Sequence, residues 1–238
     1  MTVGPILNNL AELPEYQLVL QDLRQAHLDW MKETKDTAFI PEGQLRKWAT
    51  QYGNEYSVVD GGGNNAMDRW IAAVQLSEQG PDSIPAMVTN LDDSDPVVRY
   101  WATMGLGHQG TVAQSAEQKL LVLLDDPSGD VRVAAARALT LMDKPPQALD
   151  AFRALIQHQR KEVRLHALNV IELLGYRCQP LVPDLQNRLN DEQYDKARKA
   201  LESAIETIPQ ASTPKSRYTR STWRHNKNHR ADDGRWYT

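Results

Sequence analysis

Asp92, Asp93 and Asp95 gather three carboxylates within four residues, hard oxygen donors of the kind that hold Ca²⁺. A calcium loop would need Gly and further ligands where this chain has Pro96 and Val97, so the three read instead as caps for the helix that follows. His225 and His229 stand four apart in Arg224-His225-Asn226-Lys227-Asn228-His229-Arg230 and would share one face if that segment were helical. With no further ligands nearby they read as part of a solvated tail. His108, His158 and His166 have no Ser, Cys or Asp at a spacing that suggests a relay, and read as surface or helix-end residues. On this reading the chain offers no catalytic residue, no cofactor site and no metal site. Its most regular chemistry is cationic: Arg99, Arg132, Arg164 and Arg198 are 33, 32 and 34 residues apart, and Arg69 lies 30 upstream of Arg99.

Each arginine sits inside the same pattern, so the elements that position it must recur as well. The copies are Val98-Arg99 with Ala102 and Gly105-Leu106, then Val131-Arg132 with Ala135 and Ala138-Leu139. Val163-Arg164 with Ala167 and Val170-Ile171 follows, then Ala197-Arg198 with Leu201 and Ala204-Ile205. A fixed period of this length marks one supersecondary unit stacked on copies of itself. Apolar residues at helical spacing, separated by short polar turns, place helix pairs over 66–79 with 82–91, 95–107 with 113–124, 129–142 with 146–158 and 161–174 with 180–190, and a last helix over 192–207. In the turns Asp92-Asp93-Ser94-Asp95-Pro96 and Asp125-Asp126-Pro127-Ser128, Asp or Ser caps the next helix and Pro fits its first position.

Upstream, residues 14–35 form one amphipathic helix, and Phe39-Ile40-Pro41 opens a shorter one through Leu45 and Trp48. Asp60-Gly61-Gly62-Gly63-Asn64-Asn65 favours no regular element. The expected organisation is therefore N-terminal helices over 1–52, a linker over 53–65, an array over 66–208 and a disordered basic tail over 209–238. The net charge is −4, but residues 211–238 carry seven Lys or Arg against two Asp, which leaves the body at −9. Tyr218, Trp223, Trp236 and Tyr237 interleave with those cations, a combination that meets phosphates and stacks on bases. Affinity from so few charges on a flexible segment is salt-sensitive and nonspecific, which weighs against a nucleic-acid reader. Attraction to the acidic body or to an anionic polysaccharide fits the same charges. One cysteine, Cys178, allows no internal disulfide and suits a reducing compartment. No apolar run approaches the roughly 20 residues that span a bilayer, and the first residues lack a signal-peptide pattern, so the expected location is cytoplasmic.

Over 66–208 the paired helices, the Asp-Pro turn and the Val-Arg start of each second helix resemble the HEAT repeat family. The resemblance implies an all-α fold, a HEAT-like helical-repeat solenoid. It also implies that Arg69, Arg99, Arg132, Arg164 and Arg198 form a structural ladder, pairing with Asp side chains or carbonyls of the adjoining repeat; an anion-binding stripe is the alternative. Trp70 and Trp101, one and two positions after their repeat arginines, either pack in the core or open onto a binding face.

Residues 8–42 carry a second resemblance. Asn9-Leu10-Ala11, Pro14-Glu15-Tyr16, Leu20-Gln21-Asp22-Leu23-Arg24, Leu28-Asp29-Trp30 and Thr34-Lys35-Asp36 through Ile40-Pro41-Glu42 look like the C-terminal end of bacterial sulfatases of the alkaline-phosphatase-like superfamily. That family's nucleophile motif is C/S-x-P-x-R. Cys178-Gln179-Pro180 supplies its first half, but Leu181 and Val182 depart from the rest, so no active-site residue carries over. The resemblance implies a truncated sulfatase with its catalytic domain missing and the array as accessory region, exported or periplasmic if part of the full-length enzyme. The expected function is a non-catalytic scaffold for protein or substrate-surface binding, with another protein or a sulfatase catalytic domain as partner. A HEAT-type bilin lyase and nonspecific nucleic-acid binding through the tail are the alternatives.

Overall fold

The computed structural model of the chain describes residues 10–61 and 66–210. The basic tail, its histidines and aromatics, and residues 1–9 and 62–65 lie outside that range.

Every regular element among the described residues is helical. After two short 3₁₀ turns come α1 (Gln17–Glu33), α2 (Glu42–Tyr52) and α3 (Ser57–Gly61). The array follows as α4 (Ala66–Ser77), α5 (Ile84–Asn90), α6 (Pro96–Gln109), α7 (Glu117–Val122), α8 (Gly129–Leu141), α9 (Pro145–Leu155), α10 (Lys161–Leu174), α11 (Val182–Asp191) and α12 (Asp195–Thr207). Helices α4, α6, α8, α10 and α12 carry the repeat arginines and pack each on the next, forming one layer; α5, α7, α9 and α11 form the other. This is a HEAT-like helical-repeat solenoid, all-α throughout the described residues.

The turn chemistry explains why the units recur. Asp95 adopts an extended conformation and its carboxylate accepts the Val97 amide at 2.8 Å, while Pro96 occupies the first helical position, which needs no donor. Three residues before α6, α8, α10 and α12 begin, one side chain folds back on the backbone. Asp93 accepts the Asp95 amide at 2.7 Å, Asp126 the Ser128 amide at 2.7 Å, His158 Nδ1 the Arg160 amide at 3.1 Å, and Glu192 the Tyr194 amide at 3.0 Å. Gly105 lets α6 approach its neighbours: a Cβ there would lie 2.7 Å from the Ser77 Cα and closer still to Met87 Sδ.

The core divides into two clusters. The larger runs from Ile84 to Ile208 and includes Leu106, Leu139, Phe152, Leu168 and Leu185. The smaller joins the N-terminal helices to the first repeat through Met31, Phe39, Ile40, Val58, Trp70, Ile71, Val97 and Val98. Residues 53–65, read from sequence as a linker, contain α3, and Val58 within it is completely buried. Burial of Val58 and its neighbours supplies the stabilisation that local propensity around Asp60-Gly61 lacks. The helix expected over 14–35 begins instead with a 3₁₀ turn over Pro14–Tyr16 and ends at Glu33.

Candidate functional site

The repeat arginines all lie near the turns between units. Arg99 shows how one is held. Its Nε and Nη2 donate to the two carboxylate oxygens of Asp126 at 2.7 and 2.9 Å, and Nη1 donates to the Asp93 and Ser94 carbonyls at 2.8 and 3.1 Å. Arg164 repeats that geometry two units further on. Nε and Nη2 reach Glu192 at 2.8 Å each, and Nη1 reaches the His158 and Gln159 carbonyls at 2.8 and 3.1 Å. Two-pronged pairing of this kind is the strong form of the charge-assisted bond. Arg69 in the first unit meets Asp93 at 2.5 Å and Asp95 at 3.8 Å. Arg198 at the other end donates to the Leu189 carbonyl at 3.1 Å and lies 3.4 Å from Glu202 on its own helix.

Arg132, in the middle, differs: its Nε is buried without a hydrogen-bond partner. The side chain that occupies the position of Asp126 and Glu192 in the next turn is His158. Burial lowers the His158 pKa, and the charge of Arg132 lowers it further. Glu192 is the opposite case. Burial alone would raise its carboxyl, but hydrogen bonds from Arg164, the Tyr194 amide and Arg188 outweigh that and hold it down at about 2.

A polar group that sequence spacing did not reveal lies beneath α2. Asp130 at the start of α8 is 1% exposed, its Oδ1 faces His166 Nδ1 of α10 at 2.8 Å, and its Oδ2 is buried without a partner. Tyr100 of α6 packs against His166, and burial together with the Asp130 charge pushes its hydroxyl up to about 12. The three positions come from different repeats, 30 and 36 residues apart, so no local motif marks them. Helix α2 packs on α8 and α10, over Asp130. Gly43 makes that approach possible, since a Cβ there would lie 2.5 Å from Asp130 Oδ2.

Trp70 forms no binding face, which corrects that alternative. It is 0% exposed, stacks on Trp48 at 6.0 Å and donates its indole N–H to Asp95 at 2.8 Å. The cause is the N-terminal segment, which roofs the first repeat. Trp101 is partly buried and donates to the Phe39 carbonyl at 2.8 Å, tying α6 to the loop before α2. Cys178 lies in the 3₁₀ stretch Gly175–Leu181, fully buried, with its thiol pushed up to about 12 by burial. Asp92, Asp93 and Asp95 face Lys119, Arg69 and their own turn, and no group of acidic, His or Cys residues suited to a metal occurs among the described residues. No helix there is long and apolar enough to cross a membrane.

No curated protein matches the chain. Solved structures that resemble it include two designed or engineered proteins. One is an engineered protein, with TM-score 0.42 and 18% identity over 71% of this chain and 79% of the other. The second is a designed armadillo repeat protein in complex with the peptide (KR)4, with TM-score 0.44 and 19% identity over 82% of this chain and 95% of that one. Residues 116–206, which hold α7 to α11 and most of α12, match the family described as HEAT repeats, in agreement with the stacked helix pairs seen there.

Proposed function

We propose that the chain is a binding scaffold rather than an enzyme, and that a protein partner docks on the outer face of α1. The supporting observation is an apolar stripe left in solvent. Tyr16, Val19, Leu23 and Trp30 recur at helical spacing and are 40%, 52%, 65% and 53% exposed, while Met31 is the buried residue of that helix. A contiguous exposed apolar surface on a soluble protein marks an interaction site. Beside the stripe run Glu15, Asp22, Asp29 and Glu33, all exposed and spaced seven, seven and four apart, which puts them on one flank. An apolar strip with an acidic margin is complementary to an amphipathic segment carrying basic residues next to apolar ones.

Hydrogen exchange of residues 16–30 tests this reading with two synthetic helical peptides, one built from Leu and Lys and the other from Leu and Glu. The Leu/Lys peptide protects α1, the Leu/Glu peptide does not, and Leu23→Asp weakens the protecting peptide about ten-fold or more. Equal protection by both peptides, or by neither, overturns it. The finer reading, with a sulfatase catalytic domain as partner, is supported by the sequence string 8–42 alone. Helix α1 falls inside that string, and such a domain would protect the same residues. In either case Arg99 and Arg164 serve the array itself, since they use their guanidinium nitrogens on adjoining turns.

A further inference from the structure

We propose that the turn between α9 and α10 is an interrupted rung of the arginine ladder that binds a carboxylate, supplied by an acidic side chain of a protein partner. The flanking rungs define what is missing. In each, a carboxylate six residues ahead of one repeat arginine accepts two bonds from the arginine of the previous repeat: Asp126 from Arg99, and Glu192 from Arg164. The residue six ahead of Arg164 is His158, and the arginine of the previous repeat is Arg132. His158 keeps the local half of the carboxylate's work, because its Nδ1 accepts the Arg160 amide at 3.1 Å. That bond leaves the proton of the neutral ring on Nε2, so the imidazole offers a donor where both neighbours offer an acceptor.

The rung is thus built of donors. Arg132 has a buried Nε with no partner, yet the residue is partly exposed, as is His158, so the pair can be reached from solvent. Arg160 adds a second positive charge close enough to act on the imidazole. Asp130 also acts on His158, but its Oδ1 is committed to His166 and its Oδ2 has no partner, so it does not close the rung. A buried guanidinium N–H without an acceptor is costly, and a planar carboxylate matches the guanidinium edge as it does in the rungs on either side. The site follows from this geometry; that the carboxylate comes from a protein rests on the scaffold reading above.

The test uses the full chain and acetate as probe, against chloride at equal pH and ionic strength. Acetate moves the His158 imidazole resonances in a saturable way and raises the melting temperature. Arg132→Gln weakens that response about ten-fold or more. His158→Asp, which supplies the carboxylate in place, raises the melting temperature in chloride and abolishes the acetate response. A peptide rich in Glu then competes with acetate for the same resonances. No acetate-specific movement of His158, an equal response in wild type and Arg132→Gln, or a response to phosphate without one to acetate overturns the site. Acetate binding without competition by the peptide overturns the protein source. Leu23→Asp leaves the acetate response intact, so failure of docking on α1 is distinguishable from failure here.

Discussion

Arg99 and Asp126 are 12% and 3% exposed at the side chain, so their pair is shielded from the solvent that makes surface ion pairs nearly neutral. Removing one member strands the other. Asp126→Ala is expected to cost about 3–5 kcal/mol in urea unfolding, because the Arg99 cation stays buried without its acceptor. Asp126→Asn keeps the Ser128 amide bond and is expected to cost less. The Glu192 rung carries a pH signature. Its carboxyl lies at about 2 in the folded chain against an ordinary 4.5, so the folded state favours the ionised form. A depressed carboxyl contributes stability that is fully present above the unfolded value and is lost as pH falls through the folded one. The window is therefore from about pH 4.5 down to about 2. Glu192→Gln is expected to lower stability at pH 7 and flatten the decline in that interval, as measured by denaturant midpoints across pH.

Helix α2 is the element whose placement has most consequence, because it lies against the buried Asp130 and follows the loop that binds Trp101. Gly43→Val would bring a side chain to 2.5 Å from Asp130 Oδ2 and 2.9 Å from Val163, an overpacking expected to cost about 1–3 kcal/mol. Hydrogen exchange should show α2 losing protection while α8 and α10 keep theirs; equal loss in all three would mean that α2 is part of the array's own fold. How far this was legible in the sequence differs element by element. The second helices were readable because Val131-Arg132 and Ala135 recur at a fixed period, and helical periodicity is a local signal. Asp95-Pro96 likewise announced a cap. The seat of α2 was not readable, since nothing in Glu42–Tyr52 says which surface it meets, and Gly43 looks like any small residue until Asp130 lies above it. Trp70 is buried for the same reason: its cover comes from Trp48 and Val58, more than ten residues away. His158 could have been found by aligning the positions six residues ahead of Arg99, Arg132, Arg164 and Arg198, where the other three are Asp93, Asp126 and Glu192.

At the scale of the molecule, stacked repeats contact their neighbours and little else, so stability is close to a sum of unit and interface terms. The two core clusters refine that expectation. Trp70, Val97 and Val98 belong to the cluster built with Phe39, Ile40 and Val58, whereas Leu139, Phe152 and Leu185 belong to the one that extends to Ile208. A fragment spanning 66–210 keeps the second cluster and loses half of the first. It is expected to melt cooperatively by circular dichroism, but with α4 and the first turns of α6 exchanging rapidly, because Trp70 loses its stack on Trp48 and Trp101 loses the Phe39 carbonyl. Protection in α11 and α12, which pack on each other and, through α12, on α10 rather than on α2, should stay within about 0.5 kcal/mol of the full chain, the additivity expected of sites that share no partners. A uniform fall in protection through α12 would show instead that the N-terminal helices and the array unfold as one cooperative unit, with α2 carrying the coupling across α8 and α10.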